Sequence, residues 1–210
     1  MKGLLAADSP LQRVLGRLGD VMLLNLLFLA TSLPLITLGA SLTALNFAAL
    51  RLVEDSDESV VDAYLRSFRR NLRQSVAVLG VVVGVAAVLV AWAVVLPQVA
   101  LGPLLTVALY GVLALTALRM LAIALFLFPY LATFEGTTRE VLTNARKMSA
   151  RHPLAAIAMT CIVVLPAVVT VTDPALAGYG LFWLLAGFAA IACLNALLLR
   201  GVLARYITAA

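Results

Sequence analysis

Charge is what this sequence has least of. Asp, Glu, Lys and Arg together make up 12% of its 210 residues, against about 25% in a soluble globular domain. Hydrophobic residues make up 64%. In water such a chain would expose large apolar patches and aggregate, so a soluble domain or soluble enzyme is excluded. Histidine is nearly absent. The one histidine, His152, stands beside Pro153 and reads as an interfacial side chain, because a metal centre or a nucleophile–base pair needs convergent His, Cys or carboxylate groups. The two cysteines, Cys161 and Cys193, lie in apolar runs outside any CxxC spacing and read as small residues facing lipid or a neighbouring helix. No G-x-x-x-x-G-K-[ST] phosphate loop occurs, which excludes a P-loop ATPase. The acidic run Glu54 to Glu58, with Asp62, lacks the glycine and spacing of an EF-hand loop and reads as a solvated connection. No catalytic residue, cofactor site or metal ligand is therefore assigned, and the chain is not expected to be an enzyme.

Long apolar runs, by contrast, are abundant. They predict an all-α integral membrane bundle of six transmembrane helices, with two short amphipathic cytoplasmic helices. The chain reads as a single transmembrane domain, 1–210. Residues 1–53 hold an N-terminal segment and a helical hairpin. Ser9, Pro10 and Gln12 form a helix start, and Pro34 and Gly39 interrupt the run from Val21 to Leu50. Ala30 and Ser32 loosely resemble a cleavage site, but the run continues well past them, so it reads as a span and not a cleaved leader. Residues 54–75 form a first basic connection. There Val61, Tyr64, Leu65, Phe68 and Leu72 recur at helical spacing, and Arg66, Arg69, Arg70 and Arg73 supply a face suited to an anionic membrane surface. Spans three and four fill 76–131. A second basic connection, 132–152, carries a capping box at Thr137 and Glu140 and the cations Arg146, Lys147 and Arg151. Spans five and six fill 153–210, with a turn at Asp173-Pro174.

The net charge is +5, and its distribution sets an orientation. With six spans, the turns near 33–39, 97–103 and 172–174 hold no Lys or Arg. Every basic cluster then falls on one side, with both termini cytoplasmic, as the positive-inside rule requires. A five-span alternative, with Val21 to Leu50 as one helix, strands Lys2, Arg13 and Arg17 on the opposite side. Basic residues clustered between apolar runs imply membrane lipid as a partner and no nucleic acid.

Four polar residues inside the spans invite pairing. Asn25 and Asn46 flank the first turn at nearly equal distances along the chain, and a buried amide seeks a partner. Asp20 and Arg119 each lie roughly 22 Å below an outer turn, at about 1.5 Å per residue. An intramembrane cation usually faces the bundle interior with a counter-charge, so an Asp20–Arg119 ion pair is expected. Gly80 and Gly84 form a GxxxG step suited to close helix packing, expected within the monomer. Residues 65–74 and 142–151 also align, with Arg69-Arg70 falling on Arg146-Lys147, which hints at a parallel repeat.

The opening third has a further character. Asp8-Ser9-Pro10-Leu11, Arg17-Leu18-Gly19-Asp20, Leu24-Asn25-Leu26-Leu27, the stretch from Ser32 to Leu45, and Ser67-Phe68-Arg69-Arg70-Asn71 resemble the bacterial YesL family. So do Phe128-Pro129-Tyr130 and Asn144-Ala145 further on. The resemblance implies a multi-pass protein of the bacterial inner membrane, of unassigned molecular role, associated with carbohydrate uptake. Components of a carbohydrate ABC transporter are the partners it implies. The rival reading is a small transporter or channel in its own right. An enzyme acting on lipid is the third, and it lacks an acid–base pair.

Overall fold

The computed structural model describes residues 10–99, 101–172 and 179–207. The Ser9 cap and the Asp173-Pro174 turn fall outside the described residues. The chain forms eight α-helices in them: α1 Pro10–Ser32, α2 Leu38–Val53, α3 Val60–Val95, α4 Pro103–Thr133, α5 Thr138–Arg151, α6 Pro153–Thr172, α7 Tyr179–Phe182 and α8 Phe188–Ile207. One π turn, Trp183–Gly187, joins α7 to α8. Six stretches are long and apolar enough to cross a membrane, drawn from α1, α2, α3, α4, α6 and the α7–α8 run. This is an all-α, multi-pass membrane protein of six spans.

The first two spans are separate helices for a local reason. Pro34 lacks the N–H that would continue α1, and a 3-10 turn, Leu35–Thr37, reverses the chain. The single Thr37 O–H lies within bonding distance of the Thr31 carbonyl at 2.6 Å and the Pro34 carbonyl at 2.7 Å, and the first of these is an acceptor left over at the end of α1. These bonds fix a hairpin, not one long helix, so the five-span alternative falls away.

Span α2 is the centre of the bundle and packs against α1, α3, α4 and α8. Its sequence explains this. Ala40, Ala44 and Ala48 recur every fourth residue and are wholly buried, and such small side chains let backbones approach where no hydrophobic effect drives helices together. The core gathers around them from Leu24, Phe28, Tyr64, Phe126, Leu131, Met159 and Leu199. Beyond it, the far halves of α3 and α4 present Val83, Val90, Trp92, Leu104, Val107 and Val112 outward, a surface for which lipid is the matching solvent.

The two amphipathic segments differ from expectation in different ways. The first is not a separate short helix. Val60–Val95 is one helix of 36 residues, roughly 54 Å at about 1.5 Å per residue, so it extends well past a hydrocarbon core of about 30 Å. Nothing between Leu72 and Val76 breaks it. The second is separate, because Pro153 ends α5 at His152 and opens α6. It lies along α4 and buries Val141, Ala145, Met148 and Ser149. At the repeat offset noted in the sequence, α3 falls on the α5–α6 pair and α2 falls within α4. The two units thus share one plan, a descending span followed by a basic amphipathic stretch that leads into an ascending span.

Candidate functional site

The intramembrane polar residues mostly find partners other than those expected. Asn25 does not pair with Asn46. It spans from α1 to the π turn, donating to the carbonyls of Trp183 at 2.9 Å and Leu184 at 2.8 Å and accepting from the Ala189 N–H at 3.0 Å. A π turn leaves carbonyls without their usual i+4 partners, and one amide collects two of them together with an N–H. Asn46 bonds its own helix, donating to the Leu42 carbonyl at 2.8 Å. Equal depth was not enough, because the two amides face different neighbours around their helices.

The same reason separates Asp20 from Arg119. The helix α1 packs on α2, α3, α8 and the π turn, and α4 is not among its main neighbours. Among the described residues the ion pairs are Arg17–Asp55, Arg51–Glu54 and Arg66–Glu58. Arg119 instead donates to the Ser149 hydroxyl at 2.8 Å and to the Arg146 carbonyl at 3.5 Å, tying α4 to the last half of α5. The GxxxG step is likewise not a packing site within the monomer: a Cβ at Gly80 or Gly84 would meet nothing within 4 Å. Close packing falls to Gly39, which the sequence did not single out for that role.

Hydroxyls add a further brace. Thr31, Ser41 and Tyr64 join α1, α2 and α3, with Ser41 donating to Thr31 at 3.0 Å and Tyr64 bonded to the same Thr31 hydroxyl. Thr43 and Ser75 are bonded at 3.0 Å. Among the described residues, no three His, Cys, Asp or Glu side chains gather where they could hold a metal.

Two of the cavities among the described residues carry buried or charged polar groups of interest. One, of about 410 Å³, lies at the centre of the bundle between Phe28, Leu45, Asn46, Phe128, Trp183 and Asn195. Its walls are apolar apart from the two amides, and the buried Asn195 Oδ1 has no hydrogen-bond partner. The other, of about 470 Å³, lies at the basic end, where α2 and α4 terminate. It is walled by Phe47, Arg51, Glu54, Arg66, Arg70 and Arg200, among others.

The arginine cavity follows from local sequence. Phe47 and Arg51 are one turn apart on α2, and Arg66 and Arg70 are one turn apart on α3, so each pair shares a face. The chain reverses between them through a Schellman-type end. Ser56 N–H donates to the Arg51 carbonyl at 3.1 Å, and Asp55 holds φ 54°, a left-handed position that Asp tolerates better than most residues. The guanidiniums of Arg51, Arg66 and Arg70 then lie 5.3, 5.5 and 5.8 Å from the centre of the Phe47 ring, within cation–π range. Arg70 donates to the Ala132 carbonyl at 2.7 Å, near the end of α4, where unpaired carbonyls favour a cation. Arg66 donates to Glu58 at 2.7 Å.

Of the basic face expected from the sequence, Arg66 and Arg70 thus enter a defined cavity. Arg69 and Arg73 stand exposed on α3, and Arg146, Lys147 and Arg151 stand exposed on α5; none of these five lines the cavity. Sequence reasoning missed Arg51, Arg200 and Asn195. The helical spacing of Phe47 and Arg51 was the available signal for the first. Nothing local marked the other two.

A family model described as "Protein of unknown function, DUF624" matches residues 21–93, which run from within α1 almost to the end of α3. No curated protein and no solved structure matches the chain.

Proposed function

We propose that this chain is a bacterial cell-membrane protein, with both termini cytoplasmic, that acts as an accessory component of carbohydrate uptake and not as an enzyme. The observation that carries the reading is the contrast between its two ends of chemistry. Polar side chains within the spans are largely spent on bracing helices, as with Asn25 and Thr31, while unspent hydrogen-bond donors concentrate in the arginines of the basic end. That distribution suits a protein that holds something at the membrane surface. The carbohydrate association rests on the resemblance to the YesL family, which is strongest over much of the segment that the DUF624 model matches. The partners would be membrane lipid and components of a carbohydrate ABC transporter. Affinity purification in mild detergent tests this: recovery of a transporter component is expected, and its reproducible absence contradicts the reading.

The central cavity motivates a second reading, a small solute carrier. A sugar entering it would surrender water at every hydroxyl for two amides and an apolar wall, and unpaired buried polar groups are costly. The cavity therefore favours an apolar occupant over a sugar. Sugar flux in liposomes that is lost in Asn46→Leu and Asn195→Leu would establish the carrier; absence of flux is expected.

A further inference from the structure

We propose that the arginine cavity at the basic end is a binding site for a phosphate group, carried either by an anionic lipid or by a soluble phosphate ester. Four guanidiniums from three helices, Arg51 on α2, Arg66 and Arg70 on α3, and Arg200 on α8, wall one cavity of about 470 Å³. A single carboxylate, Glu54, stands on the same wall. Three of the cations share one aromatic ring, Phe47, which brings like charges together in a partly enclosed space. Glu54 and Glu58 offset part of this charge, and the four cations leave the wall net positive, which an anion would complement.

The donor count points the same way. Each guanidinium carries five N–H donors in a planar fork. Arg70 uses one on Ala132 and Arg66 one on Glu58. Arg51 reaches Glu54 only at 3.8 Å, and its Nε is buried with no acceptor. Arg200 has no ion-pair partner among the described residues. Phosphate suits the terminal N–H groups that remain, because its several oxygens match the guanidinium fork bidentately and can be shared by more than one arginine.

The helix ends agree with a site rather than a simple structural use of the cations. Arg70 already serves the last turn of α4, yet Arg51, Arg66 and Arg200 remain on the wall. Their position, where α2 and α4 stop, is the level at which a lipid headgroup or a soluble ester can reach them.

The test uses the full-length protein in nanodiscs of phosphatidylcholine, with melting temperature and calorimetric titration as readouts. In one arm inorganic phosphate or glucose 6-phosphate is added. In the other, phosphatidylglycerol replaces about a third of the lipid. Any species that binds the folded state alone raises its stability by mass action. The expected result is stabilisation in at least one arm, with affinity at least tenfold weaker in Arg51→Gln and in Arg200→Gln and unchanged in Arg69→Gln and Arg73→Gln. A response to the soluble probes in pure phosphatidylcholine assigns a phosphate ester, and a response confined to phosphatidylglycerol assigns a lipid headgroup. Arg51→Lys keeps the charge but loses the fork, and is expected to behave as Arg51→Gln does. No response in either arm, or equal losses in the Arg69 and Arg51 variants, overturns the proposal. Neither result bears on copurification with a transporter.

Discussion

Gly39 on α2 faces α3 so closely that a Cβ there would lie 2.5 Å from the Ser75 carbonyl oxygen and 2.9 Å from the Leu79 Cβ. Neither atom can swing away, since one is backbone and the other is fixed to it. Gly39→Ala is therefore expected to push the two helices apart at a cost of about 1–3 kcal/mol, the usual range for overpacking. Gly80→Ala, on the same α3 but with open space around it, is expected to be neutral. Thermal unfolding in detergent distinguishes them, and equal losses would contradict the packing described.

Asn25 and Asn46 should differ as sharply. Removing the Asn25 amide takes a donor from two carbonyls and the acceptor from one N–H at the π turn. Asn25→Ala is expected to cost about 1–3 kcal/mol, the range for leaving buried polar groups unpaired. Asn46→Ala breaks one bond within its own helix and should cost under about 1 kcal/mol, in line with the modest worth of side-chain bonds in membranes. A reversed order in equilibrium unfolding would place the structural amide wrongly.

Arg119 should couple to α5 and not to α1. A double-mutant cycle of Arg119→Met with Ser149→Ala is expected to show a coupling of about 0.5–2 kcal/mol, as neighbours in one hydrogen bond do. The cycle of Arg119→Met with Asp20→Asn is expected to be additive. Coupling between Arg119 and Asp20 would restore the ion pair that the bundle geometry denies.

The cap of α5 predicts a dependence on pH. The Thr137 backbone N–H, bonded to Glu140 at 2.8 Å, and then the Thr137 hydroxyl hold the Glu140 carboxyl below its ordinary value. A carboxyl lowered in the folded state stabilises that state above its ordinary range and loses the contribution as pH falls through the lowered value. The protection of the α5 amides, taken relative to the intrinsic exchange rate at each pH, should therefore be lower in acid than near neutrality. Glu140→Gln should remove most of that difference, and an unchanged profile in the variant would detach it from the cap.

Much of this fold was legible because lipid restricts what a chain can do. Six apolar runs, Pro34 as a breaker and the Thr137–Glu140 cap are local signals, and each marks a feature found in the structure. The continuity of α3 was less visible, since a change from amphipathic to wholly apolar composition near Val76 resembles a boundary although no residue there stops a helix. Pro153 supplies that stop in the corresponding unit. The pairings failed for a general reason. Residue counts along straight helices give depth, but contact also needs the facing side and the neighbour, and those come from packing around α2. Arg51 and Arg200 escaped notice because they enter one cavity from helices far apart in sequence, and only the assembled bundle brings them to Arg66 and Arg70.

The proposed role and the phosphate site both require the basic end to lie in the cytoplasm beneath six spans. In a background carrying Cys161→Ala and Cys193→Ala, single cysteines at Ser59 and Gly102 can be challenged in intact cells with a membrane-impermeant maleimide. Ser59 precedes α3 at the basic end, and Gly102 precedes α4 at the opposite end. The six-span orientation predicts labelling of Gly102→Cys in intact cells and of Ser59→Cys only after the membrane is permeabilised. Labelling of Ser59→Cys in intact cells would invert the topology and place the arginine cavity outside the cytoplasm.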